Sequence, residues 1–173
     1  GTTFWVYRYS GSVLYYSTQG TGAWTVCGGG TLTATGRIGY TILADTLVIG
    51  DGTAATRHST DGTSFTNSVS APIAGYFDNY QNRIWAGGTA SSLFYSNVGT
   101  PTDWSNDSSS IAIPGPGRIN SVFKSADRLV VTKNSGVMTR WDGYNLVDLA
   151  TNLGPTSPYS LGKIEDYRIW LNR

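Results

Sequence analysis

The sequence predicts an all-β fold, and three features of its composition lead to that prediction. The 173 residues include 22 glycines, 22 threonines and 19 serines, but only three lysines and one glutamate. Strand and turn formers therefore dominate, whereas residues that favour exposed helix faces are scarce. Hydrophobic residues make up 39% of the chain and aromatic residues 13%. A chain of this length and composition can bury one core, which excludes a disordered protein.

Five short apolar segments recur along the chain and indicate repeated structural units. They are residues 4–7, 47–49, 84–86, 129–131 and 169–171, whose starts are 43, 37, 45 and 40 residues apart. Arg83, Arg128 and Arg168 directly precede three of these segments. Because consecutive rather than alternating positions are apolar, we predict inner strands that are buried on both faces.

Each of the first four segments is followed by the same three features. The first is a second strand, at residues 13–17, 55–59, 93–96 and 137–141. The second is a glycine-containing turn that ends on a large apolar residue, at Trp24, Phe65, Trp104 and Leu146. The third is a strand before the next unit, at residues 38–42, 73–77, 119–123 and 159–164.

A period near 40 residues with four short strands per unit predicts a β-propeller. We expect about four blades of four antiparallel strands, in a single domain or propeller segment that spans residues 1–173. The alternative is a two-layer sandwich, in which apolar and polar residues would alternate more strictly.

The order of the strands predicts an incomplete ring. Counted outward from the axis, the sequence begins at the second strand of a blade, residues 4–7, and ends on a first and a second strand, residues 159–171. A four-bladed ring has no place for the duplicate second strand. Open blade faces would expose apolar residues and unpaired backbone. We therefore expect further sequence or a partner chain to complete the propeller.

The turns share a recognisable pattern. Residues 59–65 read Ser-Thr-Asp-Gly-Thr-Ser-Phe, residues 17–24 carry Gln19 at the aspartate position, residues 96–104 are a longer version, and residues 141–143 keep only the turn. These turns resemble degenerate Asp-boxes of sialidase-like propellers. In such a turn the aspartate accepts bonds from backbone amides and glycine supplies a positive φ. We predict a folding role and no metal site, with Trp24, Phe65 and Trp104 buried at equivalent positions.

The second half of the chain carries a further pattern. Residues 83–88 (RIWAGG) lead to residues 93–96 (LFYS) and 99–104 (GTPTDW), and residues 128–143 and 160–171 form the next units. Residues 80–173 resemble propeller domains in tail and other virion proteins of tailed bacteriophages. The resemblance implies an assembly or host-attachment module in the virion, with other virion or tail chains as partners. Its motifs are structural, so it assigns no site residue.

Patterns for catalysis and metal binding are weak. Glycoside hydrolysis normally needs two positioned carboxylates, but most of the ten aspartates lie in turns and the one glutamate is Glu165. His58 and Cys27 are the only residues of their types, which is too few for a zinc site or a disulfide. We predict a protein that is not an enzyme and has no cofactor. A fragment of a sialidase-like glycosidase is the third candidate function, after the virion module and a carbohydrate-binding propeller.

Charge and hydropathy limit the partners. The formal net charge of +1, with 13% charged residues, lacks the polybasic surface of a nucleic-acid-binding protein. No run approaches the 18 apolar residues of a membrane-spanning helix. We therefore expect neither nucleic-acid binding nor membrane insertion.

Aromatic residues provide the candidate contacts. Trp5, Trp85 and Trp170 have matching repeat positions, so we predict that they pack between blades. The better surface candidates lie where the repeat is broken, at Tyr7, Tyr9, Tyr76, Tyr80 and Tyr144. Aromatic rings stack on sugars or anchor protein interfaces. The alternative function is therefore a carbohydrate-binding, extracellular propeller.

Overall fold

The structure is a computed structural model that describes residues 5–20, 22–33, 37–88, 90–105, 109–150, 154–155, 161–164 and 167–170. In the last two ranges it describes strand pairing only. Every regular element in these ranges is a β-strand, and none is a helix. The predicted all-β class is confirmed.

The strands form five antiparallel sheets in chain order. The first sheet contains β1 (Trp5–Ser10), β2 (Val13–Thr18) and β3 (Thr25–Thr31). The second contains β4 (Gly39–Leu43), β5 (Thr46–Gly50), β6 (Arg57–Ser59) and β7 (Thr66–Asn67). The third contains β8 (Ala74–Tyr80), β9 (Arg83–Gly88), β10 (Ser92–Tyr95) and β11 (Ser110–Ala112). The fourth contains β12 (Ile119–Ser125), β13 (Arg128–Lys133), β14 (Met138–Trp141) and β15 (Leu146–Ala150). The fifth contains β16 (Leu161–Ile164) and β17 (Tyr167–Trp170).

We call the first four sheets blades 1 to 4. The first strands of blades 2, 3 and 4 contact one another, because β8 lies against both β4 and β12. These strands are therefore the innermost ones, and the remaining strands of each blade extend outward from them. This arrangement is that of a β-propeller. Blade 1 has no described innermost strand, because its sheet begins with β1 at the edge.

Tight hairpins join the first and second strands of blades 2 and 3. The turn residues Ala44 and Asp45, and likewise Gln81 and Asn82, have positive φ values between 48° and 59°. Two consecutive residues with positive φ form the type I′ turn, whose twist matches that of the flanking strands.

The core consists of three apolar layers, one between each pair of neighbouring blades. The layer between blades 1 and 2 contains Leu14, Cys27, Leu32, Ile49 and Phe65. The layer between blades 2 and 3 contains Val48, Ala74, Phe77, Ile84, Ala86 and Trp104. The layer between blades 3 and 4 contains Tyr80, Trp85, Leu93, Ile113, Ile119, Val122, Leu129 and Val131. In β9, Ile84 and Ala86 thus face one neighbour and Trp85 the other, which explains the consecutive apolar positions.

The predicted burial of the turn aromatics is confirmed for two of the three. Phe65 is 4% exposed and Trp104 3% exposed, and each packs against the preceding blade. Trp24 is 36% exposed, so its predicted burial is wrong. Its position faces the blade that would precede blade 1, and no described blade lies there. Instead, the guanidinium of Arg8 lies 4.9 Å from the centre of its ring.

The first repeat is shifted by two residues from the position predicted for it. Tyr7 lies opposite Tyr16, as Trp85 lies opposite Tyr95, whereas Trp5 lies opposite Thr18. Tyr7 is therefore the counterpart of Trp85, and the predicted match between Trp5 and Trp85 is wrong. The side chain of Trp170 lies outside the described residues.

The folding role of the aspartate turns is confirmed at residues 59–65. The Asp61 carboxylate accepts hydrogen bonds from the amides of Thr63 at 2.7 Å and Ser64 at 2.8 Å. These bonds lower the pKa of Asp61 to about 2. In blade 1, where Gln19 replaces the aspartate, the buried hydroxyl of Ser17 has no hydrogen-bond partner within the described structure.

Candidate binding cleft between the first two blades

A cleft of about 790 Å³ lies between blades 1 and 2, on the inner side of β1. Its lining includes Trp5, Val6, Tyr7 and Tyr9 from β1, Tyr40 and Ile42 from β4, and Asp45, Asp61 and Gly62 from two turns of blade 2. The volume lies within the range typical of ligand sites. Such sites also have a largely apolar lining with a few polar groups, as this cleft does. We call this space the blade 1–2 cleft.

The cleft exists because no described strand covers the face of β4 that is directed toward blade 1. Tyr40, Phe77 and Val122 have the same position in their strands, three residues before the last paired residue of the hairpin. Phe77 is 7% exposed and Val122 5% exposed, but Tyr40 is 67% exposed. Ile42, on the same face of β4, is 55% exposed. The innermost strands β4 and β8 cover Phe77 and Val122, and no described strand does so for Tyr40.

Tyr7 forms one wall of the cleft and is fixed in place by a hydrogen bond between blades. Its hydroxyl donates to the Gly62 carbonyl oxygen at 2.7 Å. Burial raises the pKa of Tyr7 to about 12, and the nearby Cys27 and Asp61 also contribute. The phenol is therefore neutral at physiological pH and acts as a hydrogen-bond donor.

Tyr9 is held in the same way further along β1. Its hydroxyl donates to the Thr33 carbonyl oxygen at 2.9 Å. Burial, with a smaller effect of the Asp51 carboxylate, raises the pKa of Tyr9. Both tyrosines thus line the cleft from fixed positions, while their hydroxyls are used within the fold.

Trp5 and the turn of Asp61 complete the rim. The Trp5 ring packs edge-on against Tyr16, with ring centres 5.3 Å apart, and is still 38% exposed. Asp61 is ionised at neutral pH because of its low pKa, and Asp45 lies at the same cleft. The cleft thus combines aromatic walls with negative charge.

The structure brings only two of the five predicted tyrosines together. Tyr76 is partly buried and packs against the layer between blades 3 and 4. Tyr80 is 7% exposed, so its expected surface position is wrong. Its hydroxyl donates to the Asp127 carbonyl at 2.8 Å, which holds it in that layer. Tyr144 is 87% exposed in the turn after β14 and lies away from the cleft.

Sequence reasoning did not single out Tyr40 and Ile42. Residues 38–42 were predicted as a strand, and both residues have the apolar character of a strand buried on two faces. The signal that could have identified them is the repeat position, since Tyr40 corresponds to Phe77 and Val122, whose burial depends on the first strand of a neighbouring blade.

The remaining candidates for chemistry have partners within the fold. The two ring nitrogens of His58 lie 2.9 Å from the Ser68 hydroxyl and 3.1 Å from the Thr66 hydroxyl, and burial lowers the His58 pKa. Among the described residues, no group of three or more His, Cys, Asp or Glu side chains could hold a metal ion. Glu165 lies outside them. The described residues also include no helix long and apolar enough to cross a membrane.

Replacing Tyr7 with phenylalanine should change how stability depends on alkaline pH. Loss of the bond to Gly62 should lower the free energy of unfolding by about 1 kcal/mol at pH 8. Between pH 10 and about 12, Tyr7 ionises in the unfolded but not in the folded wild-type protein, so the wild type loses stability there. The difference in free energy of unfolding between the wild type and Tyr7→Phe, measured by urea denaturation, should therefore become smaller over that range. Tyr144→Phe serves as the control, and an equal narrowing for that variant would contradict the assignment.

Comparisons of the whole chain with known proteins agree with the propeller fold. No protein-family model matches the sequence, and no match was found among curated proteins. Among solved structures, the chain is similar to YCF48 bound to D1 peptide, with a TM-score of 0.61 and 9% identity over 86% of this chain and 51% of that one. It is also similar to PorZ, a bacterial surface component of the type-IX secretion system of Porphyromonas gingivalis, with a TM-score of 0.63 and 16% identity over 97% of this chain and 24% of that one. A chain of the mitotic checkpoint complex gives a TM-score of 0.59 and 9% identity over 93% of this chain and 50% of that one.

These neighbours have β-propeller-like folds and varied roles. The chain spans about half or less of the length of each of them. At such low identity the likeness concerns the fold alone.

Proposed function

We propose that this chain is a non-enzymatic binding module that takes a protein segment in the blade 1–2 cleft. The observation that carries the proposal is the exposure of Tyr40 and Ile42 beside the fixed rings of Tyr7 and Tyr9. Aromatic side chains held rigidly lose little conformational entropy on binding, which is why they dominate protein interfaces. The solved structure of a similar fold with a bound peptide supports a protein ligand.

We place the module in a tailed-phage virion, where it would serve assembly or host-surface attachment. The resemblance of residues 80–173 to virion propellers supports this placement. Within that stretch, the turn at residues 97–104 is fixed by bonds from the Asn97 amide to the Asp103 carbonyl at 2.8 Å and from the Asn97 side chain to the Asp103 carboxylate at 2.6 Å. Such closed turns favour a rigid scaffold whose clefts and loops keep their shape during attachment.

A sugar ligand is the second candidate function. Trp5 and Tyr40 are exposed by 38% and 67% at the cleft, and aromatic faces of this kind stack on sugar rings. Asp45 and Asp61 could accept hydrogen bonds from sugar hydroxyls. This candidate needs the same cleft and differs only in the chemistry of its ligand.

Screening of the immobilised protein against a random-peptide display library and a glycan array separates the two candidates. We expect enriched peptides for the wild type and for Val69→Asp, a control at an exposed residue outside the cleft. Tyr40→Asp should weaken those peptides at least about tenfold, because it places a charge on the apolar wall. Glycan binding without peptide enrichment would replace the proposal with a sugar-binding module. Binding of neither class would refute the cleft as a binding site.

The virion placement has its own test. An antibody against the chain should label purified particles of the phage that encodes it in electron micrographs. Labelling confined to host material, with unlabelled particles, would contradict that placement.

A further inference from the structure

Three turns of blades 3 and 4 meet at the end of the molecule where the first and second strands of each blade are joined. Gln81 and Asn82 form the turn between β8 and β9. On one side, the Gln81 side-chain amide lies against the turn between β14 and β15, where a Cβ at Gly143 would overlap it. On the other side, the Gly99 amide donates to the Asn82 carbonyl oxygen at 2.7 Å. We call the surface formed by residues 81–82, 98–99 and 143–145 the blade 3–4 turn surface.

Gln81 is not the residue that its turn position favours. Its φ of 51° lies in the left-handed region, where glycine, asparagine and aspartate are the usual residues. Ala44 and Ala126 have the corresponding positions in blades 2 and 4, so the turn does not need a side-chain amide. What distinguishes Gln81 is therefore its long amide side chain, which the turn itself does not explain.

Tyr144 has a side chain that the fold does not use. The Asp142 carboxylate accepts hydrogen bonds from the amides of Tyr144 at 3.0 Å and Asn145 at 2.8 Å. In blade 2, Thr63 and Ser64 have the same positions and make the same bonds to an aspartate, so the turn needs neither an aromatic ring nor a side-chain amide. The Tyr144 side chain is 87% exposed. The turn thus fixes the backbone of Tyr144 and leaves its ring free to contact a ligand.

The groups that this surface offers to a ligand are one aromatic ring and several uncharged polar groups. Gln81, Asn82 and Asn145 are exposed, and no hydrogen bond among the described residues occupies their side-chain amides. Each such amide has two donor hydrogens and one acceptor oxygen. The surface contains no Asp, Glu, Lys, Arg or His. An aromatic ring beside amides, without charge, matches the hydroxyl groups and the apolar ring faces of a neutral sugar.

A protein ligand fits this surface less well. Protein interfaces concentrate their binding energy in an apolar centre that a polar rim shields from water. Here the order is reversed, because Gln81 and Asn82 lie between the two outer turns. The exposed apolar side chains, Tyr144 at 87% and Val98 at 56%, belong to those outer turns.

We propose that the blade 3–4 turn surface is a second binding site, which takes a neutral sugar. A sugar ring would stack on Tyr144, and its hydroxyls would bond to the side-chain amides of Gln81, Asn82 and Asn145. The site is separate from the blade 1–2 cleft and does not rest on the proposed function. Acidic sugars would be disfavoured, since the surface has no cation to offset their charge. A single shallow site binds weakly, so several copies of the chain would be needed for tight attachment.

The experiment is a glycan array probed with the full chain, which is biotinylated and tetramerised on labelled streptavidin so that several sites bind at once. The array carries neutral, sialylated and sulfated oligosaccharides. We expect retention on neutral glycans and competition by the same glycan in solution. Titration of the isotope-labelled chain with that glycan in NMR should shift the side-chain amide resonances of Gln81, Asn82 and Asn145.

Variants show which residues take part. Tyr144→Ser and Gln81→Gly should each weaken glycan binding at least about tenfold. Glycine suits the left-handed turn position, so Gln81→Gly should melt at or above the wild-type temperature, and its loss of binding cannot then come from unfolding. Tyr144→Trp should bind within about threefold of the wild type, because it keeps an aromatic face. Tyr40→Asp, in the blade 1–2 cleft, is the control that should bind as the wild type does.

The other outcomes overturn the inference. Glycan binding that Tyr40→Asp abolishes and Tyr144→Ser leaves unchanged would assign the sugar to the blade 1–2 cleft. Retention on sialylated or sulfated glycans alone would identify an anionic ligand. Display peptides that depend on Tyr144, with no glycan retained, would identify a protein ligand for this surface. Retention of no glycan would refute the site, and display peptides that still depend on Tyr40 would leave the proposed function intact.

Discussion

Replacing Trp104 with alanine should lower the free energy of unfolding by about 3–5 kcal/mol. The side chain is 3% exposed and packs with Val48, Phe77 and Ile84 in the layer between blades 2 and 3. Truncation would leave a cavity where two sheets meet, and rigid strands on both sides can collapse only partly into it. Urea denaturation monitored by circular dichroism measures the change.

Trp24→Ala is the matched control, since Trp24 closes the equivalent turn of blade 1 but is 36% exposed. Its loss should cost only about 1 kcal/mol, chiefly the contact with the Arg8 guanidinium. Trp104→Phe should cost clearly less than Trp104→Ala, because phenylalanine leaves a smaller cavity and the buried indole nitrogen of Trp104 has no hydrogen-bond partner within the described structure. Equal losses for Trp24→Ala and Trp104→Ala would contradict the assignment of Trp104 to a layer between blades.

The propeller could be predicted because the residues that mark its repeat form local turns. Phe65 and Trp104 follow glycine-containing turns at a constant place in the unit, and both are buried as expected. Asp61 binds the turn amides that its spacing predicts. The turn and its hydrogen bonds depend on a few neighbouring residues, so a single sequence is enough to identify them, whereas the burial of Phe65 and Trp104 also requires the preceding blade.

The register of blade 1 could not be predicted in the same way. Residues 4–7 are all large and apolar, so a shift of one or two residues leaves the pattern unchanged. Only pairing with β2 shows that Tyr7 is the counterpart of Trp85. The burial of Trp24 failed for a related reason, since it depends on a neighbouring blade and not on the turn itself.

The candidate site was predicted in part. Tyr7 and Tyr9 were named because they interrupt the repeat, and both line the cleft. Tyr80 was named on the same ground, yet it is buried because its hydroxyl reaches backbone carbonyls of blade 4. Tyr40 was not predicted because its exposure depends on the packing of neighbouring blades: no described strand covers the face of β4 that is directed toward blade 1. The predicted completion of the ring by further sequence or a partner chain stays a prediction, and the unpaired edge of β1 within the described strands agrees with it.

Replacing Gly29 with alanine should be nearly as damaging as loss of Trp104, although it adds only a methyl group. Gly29 has a φ of +62°, and a Cβ there would overlap the Phe65 carbonyl oxygen. The neighbouring Gly28 joins blades 1 and 2 through two hydrogen bonds. Its amide donates to the Thr63 carbonyl oxygen at 2.9 Å, and the Phe65 amide donates to the Gly28 carbonyl oxygen at 2.6 Å. We expect a loss of about 2–5 kcal/mol, from the positive φ and from displacement of this junction.

Gly11→Ala separates the two causes of that loss. Gly11 has a similar φ of +56°, but no atom lies within 4 Å of an added Cβ. Gly11→Ala should therefore lower the free energy of unfolding through backbone strain alone, by about 1–2 kcal/mol. The excess for Gly29→Ala measures the contact between the blades, and equal losses for the two variants would show that this junction does not hold blade 1 against blade 2.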